Sequence, residues 1–211
     1  MLRLPRRCFA VNDNEEMARL LAPVLPPGSL SGRQQPVLAV DHRFVLRPWA
    51  KDDIPALVAA YADPDIQYWH FTSLSTAEAE DLILKWNDAW RSETGAHWAI
   101  ANTSEDFAIG RISLRAWIEG GYAEVSYWVA PEFRGLGAAS VALSTLSEWL
   151  LEDLGLHRLG LEHSIHNPAS CRVASKAGYE LEGTMKSALL HADGWHDMHL
   201  HARISQKGSV G

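Results

Sequence analysis

The sequence predicts an α+β domain, a single mixed sheet with helices packed on it. Three observations carry this expectation. Short runs that alternate apolar and polar residues recur along the chain. Longer runs with apolar residues three or four apart lie between them. Gly, Pro, Asn and Ser punctuate both kinds at the places where strands turn and helices stop. The order reads strand, two helices, three strands, helix, strand, helix, two strands, and the three middle strands read as hairpins rather than βαβ units.

Residues 1–35 read as an N-terminal extension, with a short helix over Glu15 to Leu21 and a Pro/Gly/Ser/Gln-rich linker, "LPPGSLSGRQQP", over 25–36. Such a piece is too small to fold alone, so it is expected to pack on the main domain or to move freely. The main domain is expected over 36–211. "FVLRPW" (44–49) alternates and predicts a strand. "DDIPALVAAYAD" follows with an aspartate cap and with Ile54, Leu57, Val58 and Tyr61 on one helical face. "STAEAEDLILKWNDAW" opens with Ser75 and has Glu78 three residues on, a capping box. "HWAIA" (97–101) and "FAIGRISL" (107–114) form an expected hairpin across the polar "NTSED", and "AEVSYWV" (123–129) is a third strand. A helix is expected from Ala138 to Leu154, with Leu143, Leu146, Leu150 and Leu154 on one face. "LGLEHSI" (159–165) is a strand. "NPASCRVASKAG" (167–178) is a helix with its full punctuation: Asn167 as cap, Pro168 at the first position and Gly178 past the end. "YELEGTM" and "WHDMHLHARI" are the last two strands.

The chain has 211 residues and a formal net charge of −7, which argues against a nucleic-acid binder, whose footprint would be basic. The same sign suits a cationic or amine-bearing partner. Two cysteines, Cys8 and Cys171, make no disulfide framework, so a reducing cytoplasm is the simplest expectation. No apolar signal core follows Arg3, Arg6 and Arg7, no stretch is long enough to span a bilayer, and no membrane partner is expected.

The chemistry is concentrated in "VAPEFRGLGAASVAL" (129–143), a Gly-rich turn between a strand and a helix. Such a turn offers backbone N–H groups to a phosphate at a helix N-terminus. Ala138 and Ala139 follow Gly137, where a P-loop needs Lys and Ser or Thr, so nucleotide hydrolysis is excluded. Gly135-Leu136-Gly137-Ala138-Ala139-Ser140 approaches the dinucleotide fingerprint, with Glu162 on the next strand, but the hairpins before it do not fit a βαβ unit.

Arg134-x-x-Gly137-x-Ala139 is similar to the R/Q-x-x-G-x-G/A motif of the GNAT N-acetyltransferases. "RPW" (47–49), "YWVAPEFRGLG" (127–137) and "NPASCRVASKAGY" (167–179) follow the family's order and spacing, from about Phe44 to Ile204. The chain resembles the branch that includes the ribosomal-protein N-terminal acetyltransferases. The resemblance implies the GNAT fold, with acetyl-CoA as co-substrate and the strand ending at Val129 splayed from the strand carrying Leu161. It places the pantetheine arm against the backbone at Trp128 and Val129, and the pyrophosphate on Arg134, Gly135, Leu136, Gly137, Ala138 and Ala139.

Acetyl transfer to an amine needs a group that takes the amine's proton, polarisation of the thioester, and stabilisation of the leaving thiolate. Glu124 is the favoured base; Glu162 and His163 compete, and a salt-bridging strand glutamate is the alternative reading of Glu124. Many family members carry a tyrosine seven residues after the motif asparagine, where this chain has Ala174. By resemblance, Ser170 instead hydrogen-bonds the coenzyme sulfur and Asn167 holds the pantetheine or thioester; helix capping is their plainer role. Tyr179 and Cys171 are expected to pack. His191, His196, His199 and His201 invite a metal, but no cysteine or carboxylate stands at ligand spacing, so none is expected.

The acceptor is expected to be a primary amine on a protein N-terminus or a small molecule, bordered by Trp69, Trp98, Trp117 and His196, with Trp128 adding a further aromatic surface. The protein is expected to be a monomer or homodimer. A succinyl-CoA-using or antibiotic-modifying member, and a non-catalytic acyl-CoA-binding module, remain open at this point.

Overall fold

The structure, a computed structural model, describes residues 22–117 and 120–207. Eight strands form one sheet among the described residues: β1 (Leu38–Ala39), β2 (Phe44–Pro48), β3 (Gly95–Asn102), β4 (Ala108–Trp117), β5 (Tyr122–Val129), β6 (Arg158–Ser164), β7 (Glu180–His191) and β8 (Gly194–Ile204). Their spatial order is β1-β2-β3-β4-β5-β6-β8-β7. Every pairing is antiparallel except β5 with β6. That single parallel pair is joined by a helical crossover, as parallel strands must be.

The helices are α1 (Ile54–Ala62), α2 (Pro64–His70), α3 (Thr76–Arg91), α4 (Ala138–Glu148) and α5 (Pro168–Lys176). Strand alternation sorts the apolar side chains onto two faces. One face buries Leu46, Ile100, Ile112, Val125 and Leu161 together with Leu143 and Leu146 of α4. The other buries Trp49, Ala99 and Trp128 with Leu57 of α1 and Ile83 and Trp86 of α3.

The elements predicted within the described residues form, and the sequence reading omitted two there. β1 is two residues long and gave no periodic signal. α2 begins where α1 was expected to stop, because Asp63 turns extended and its Oδ1 accepts the N–H of Ile66, with Pro64 at the first helical position. The helix expected to run to Leu154 is α-helical to Glu148 and then widens into a π-helical turn over Trp149–Leu154, which Gly155 ends at φ 94°. The widening buries Leu150, Leu151 and Leu154 together.

The stretch read as a linker is anchored. Leu25 and Leu30 are buried in the main core. Trp90 and Trp98 donate their indole N–H groups to the carbonyls of Arg33 and Pro36, both at 2.9 Å. Glu93, itself at φ 59°, accepts the backbone N–H groups of Gly28, Leu30 and Ser31 at 2.8, 2.6 and 2.9 Å. Partial burial of Glu93 opposes ionisation, but those donors outweigh it and hold the carboxyl below its ordinary value. The stabilisation from a lowered carboxyl is present above the unfolded-state pKa and is lost as pH falls through the folded-state value. Glu93→Ala leaves three donors without their acceptor and is expected to cost about 1–3 kcal/mol, read by urea unfolding at neutral pH; an unchanged midpoint would show the segment is not held by this clamp. The helix expected over Glu15 to Leu21 lies outside the described residues.

Candidate active site

β5 and β6 pair only at Tyr122↔Arg158, Ala123↔Leu159 and Glu124↔Gly160. Beyond Glu124 they part. β5 keeps β4 on one side to Val129, and β6 keeps β8 to Ser164. The facing edges therefore present backbone N–H and C=O groups to a gap rather than to each other, which makes an edge ready to bond an extended ligand. A cavity of about 700 Å³ occupies this gap, lined by Val125 to Val129 on one side and by Leu161 to Ser164 on the other. That volume lies within the range of small-molecule and cofactor sites.

The turn after β5 closes one end. Gly135 and Gly137 have φ of 79° and 83°, and Gly137 is the residue that caps α4. A left-handed backbone there turns the first N–H groups of α4 toward the cavity, where the helix provides them no partner. Gly135, Gly137, Ala138 and Ala139 line the cavity. Leu136 is 49% exposed, does not line it, and gives its carbonyl to Arg43. Arg134 lines the cavity, but its guanidinium bonds Asp63 at 3.1 Å, Asp65 at 2.8 Å and the Val129 carbonyl at 3.2 Å. Arg172 and Lys176, four residues apart on α5, also line the cavity. The sequence reading missed this pair; their shared helical face was the available signal.

The far wall of the cavity comes from α5. The Asn167 side chain accepts the Ser170 N–H at 3.1 Å, so Asn167 caps the helix, and both residues line the cavity. Tyr127, also on the wall, aims its buried phenol at this turn. Burial pushes that phenol up to about 12, against a weak pull from the Ser170 hydroxyl, which lies outside ordinary hydrogen-bond geometry. Tyr179 packs as expected: it is 3% exposed and its hydroxyl shares a 2.7 Å bond with Ser147.

Two carboxylates stand where the gap opens. Glu124 is bound by Arg115 at 2.5 Å and does not line the cavity. Glu162, on the same face of the sheet, does line it. Lost hydration raises the Glu162 pKa first and the charge of Glu124 second, while Arg115 pulls it down.

The opposite side of the sheet supplies an aromatic chamber. Trp69, His70, Leu189, His191 and Met198 line it. Burial and then the charge of Arg111 push His70 down to about 4, against the Tyr127 backbone. Arg111 itself lies over the Trp86 ring at 5.5 Å, and its Nε has no hydrogen-bond partner.

The expected acceptor residues divide here. Trp69 is at the cavity. Trp98 is not: it is fully buried in the main core against Trp90 and Trp149, because β3 turns it to the α4 face. His196 is 3% exposed and stands behind His191, stacked on it at 4.0 Å, with Ser164 and Asp193 on its two ring nitrogens. Trp128 is 5% exposed and packs on Trp49 and Tyr61, and its backbone pairs with Arg111 of β4, so the strand turns the backbone of Tyr127 and Val129, not that of Trp128, toward the gap. The Trp117 side chain lies outside the described residues.

A sheet opened at one parallel pair, with a helix N-terminus at the mouth of the opening, defines a coenzyme A-dependent acyltransferase scaffold. The family model for the acetyltransferase (GNAT) domain matches residues 43–180, and the chain belongs to that family. It is an N-acetyltransferase by the same likeness. An uncharacterized N-acetyltransferase, YoaA, of Bacillus subtilis (strain 168) is 25% identical over 175 residues, covering 82% of this chain and 98% of that one. The ribosomal-protein-serine acetyltransferase of Escherichia coli (strain K12) is 36% identical over 82 residues, covering 39% of this chain and 46% of the relative. The solved structure of RimL, a ribosomal L7/L12 α-N-protein acetyltransferase in complex with coenzyme A, matches with a TM-score of 0.72 at 22% identity, covering 81% of this chain and 98% of that one. No described helix is long and apolar enough to cross a membrane.

Proposed function

We propose that the chain moves an acetyl group from acetyl-CoA to the α-amine of a protein N-terminus, by direct attack in a ternary complex. The observation that carries this reading is the parted β5–β6 edge, which joins a phosphate-cradling turn on one face to an aromatic chamber on the other. The pantetheine arm bonds the free edge at Tyr127 and at the Val129 N–H rather than at Trp128, whose backbone pairs with β4, and the pyrophosphate lies on the N–H groups at Gly135 to Ala139. Arg172 and Lys176 add positive charge there. Arg134 joins them only by leaving Asp63 and Asp65.

Glu162 takes the proton of the incoming ammonium, directly or through one water, because it stands at the gap with a raised proton affinity. Glu124, tied to Arg115, acts on Glu162 by its charge; this reverses the order of preference given by the sequence. The freed amine attacks the thioester carbonyl carbon, the N–C bond forms and the C–S bond breaks, and the second proton of the nitrogen passes to the departing thiolate, which leaves as the free thiol. Ser170 donates a hydrogen bond to the departing thiolate, and the Tyr127 phenol beside it keeps its proton and supports the same charge. A protein N-terminus is favoured as acceptor by the ribosomal-protein acetyltransferases among the relatives.

Thiol release from acetyl-CoA, measured with peptides bearing free or blocked N-termini, tests the reading. Free α-amines are expected to speed release and to carry one acetyl group by mass spectrometry. If acetyl-CoA binds and no amine speeds release, the chain is an acyl-CoA-binding module instead. Ser170→Ala is expected to lower kcat about tenfold or more, the worth of one hydrogen bond to a charged group, with coenzyme affinity nearly unchanged. Equal activity would remove Ser170 from the mechanism.

A further inference from the structure

We infer that His163, Cys171, His199 and His201 form a binding site for a Zn2+-class divalent metal ion. One ligand atom from each residue lies within 4.8 Å of the other three. The sequence spoke against a metal because no cysteine stood near the strand histidines, but the fold supplies one from α5. In the β6–β8 ladder His163 pairs directly with His199, and His201 lies two residues further along β8 on the same face. α5 covers that face and sets Cys171 against them.

One pair of ligand atoms already stands at the separation a tetrahedral ion requires, across a hydrogen bond whose proton the ion would replace. The Nε2 atoms of His163 and His201 face each other at 3.1 Å. Two imidazoles on one tetrahedral Zn2+ have nitrogens about 3.3 Å apart, given Zn–N bonds of about 2.0–2.1 Å. The His163 Nδ1–H donates to the Ser164 carbonyl at 2.8 Å, which leaves Nε2 with its lone pair facing inward. A backbone carbonyl on the second ring nitrogen is the usual support for a metal-bound histidine. His199 has a buried Nδ1 with no hydrogen-bond partner. His163 and His201 are 6% and 3% exposed, so water does not readily satisfy them instead. Three imidazoles and one thiolate suit Zn2+, and they suit Mg2+ or Ca2+ poorly because those ions select oxygen. A bound ion ties α5 to β6 and β8 one residue beyond Ser170.

A second group, His166, Asp193 and His196, is the alternative location. It is the weaker one, because it has three candidate ligands rather than four, no thiol, and two of the three, His166 and Asp193, are exposed to water.

Titration of the chelator-treated full chain with Co2+, followed by absorption, tests the assignment. One Co2+ per chain is expected, with the visible bands of a tetrahedral site and a near-ultraviolet thiolate-to-metal band. Zn2+ is expected to displace it and to raise the melting temperature. Cys171→Ser is expected to remove the near-ultraviolet band and to weaken binding about tenfold or more, His199→Ala to weaken it similarly, and His166→Ala to leave both unchanged, magnitudes in line with losses at known metal sites. No bound Co2+, or Co2+ bound by the unmutated chain without the thiolate band, overturns the proposal. So does binding that His166→Ala abolishes and Cys171→Ser leaves intact. The band of the unmutated protein is decisive by itself, so a variant that fails to fold does not shield the idea.

Discussion

Gly137→Val is expected to reduce coenzyme A affinity by about a hundredfold or more, the scale on which losing several charge-assisted bonds and a clear approach would show. The residue sits at φ 83° and caps α4. An L side chain in the left-handed region costs roughly 1–2 kcal/mol, and a β-branched one more. The protein leaves room for the side chain: the nearest atom to an added Cβ is the Ser140 hydroxyl at 4.0 Å. The new methyl groups therefore fill the space in front of the helix N-terminus, where a pyrophosphate would lie. Gly28→Val is the matched control. Gly28 has φ 91° and open space around it, far from the cavity. It carries the same kind of backbone penalty, so it is expected to lower stability and to spare coenzyme binding. Isothermal calorimetry on both variants decides the matter. Equal losses at both positions would mean that the turn acts through stability alone.

How much of this was legible in the sequence depends on the range of the interaction. Local rules succeeded. The capping box at α3 forms as expected, with the Ser75 hydroxyl accepting from Glu78 N–H at 3.3 Å and the Glu78 carboxylate accepting from Ser75 N–H at 2.8 Å. The cap of α5 and the glycine past its end also form, with Gly178 at φ 80°. The cofactor turn was visible because its glycines act on their own backbone. Long-range placement was not visible. Trp98 looked like a pocket wall, and only the pairing of β3 shows which face it takes. Residues 25–36 have a linker's composition, yet Glu93, more than fifty positions away, holds them through backbone donors that leave no mark in side-chain pattern. The same holds for the histidines of β8, whose thiol partner arrives from α5. The choice between Glu124 and Glu162 turned on Arg115, which engages one carboxylate in a way strand alternation cannot reveal.

Glu162→Gln is expected to lower kcat/KM about 10²–10⁴-fold, the span of a lost general base, while coenzyme affinity holds. Glutamine keeps the size and loses the proton acceptor, so the loss falls on the chemical step. Glu124→Gln separates the two carboxylates. Its direct loss is expected to be smaller, and its signature is a shifted pH profile. A base works in its ionised form, so the acid limb of kcat/KM follows the Glu162 pKa and activity falls as pH drops through it. Lost hydration raises that pKa first, and the negative charge of Glu124 raises it further. Removing the Glu124 charge takes away the second cause. It also frees Arg115, which already pulls the Glu162 pKa down. Both consequences have the same sign, so the acid limb moves to lower pH. Tyr122, the other titratable group beside the pair, is held protonated by burial and then by the two glutamates, and it adds no charge in this range. If Glu124 were the base itself, Glu124→Gln would cost the full factor and leave no limb to shift. A pH–rate series on the two variants therefore assigns the proton acceptor by which variant keeps its activity and in which direction its acid limb moves.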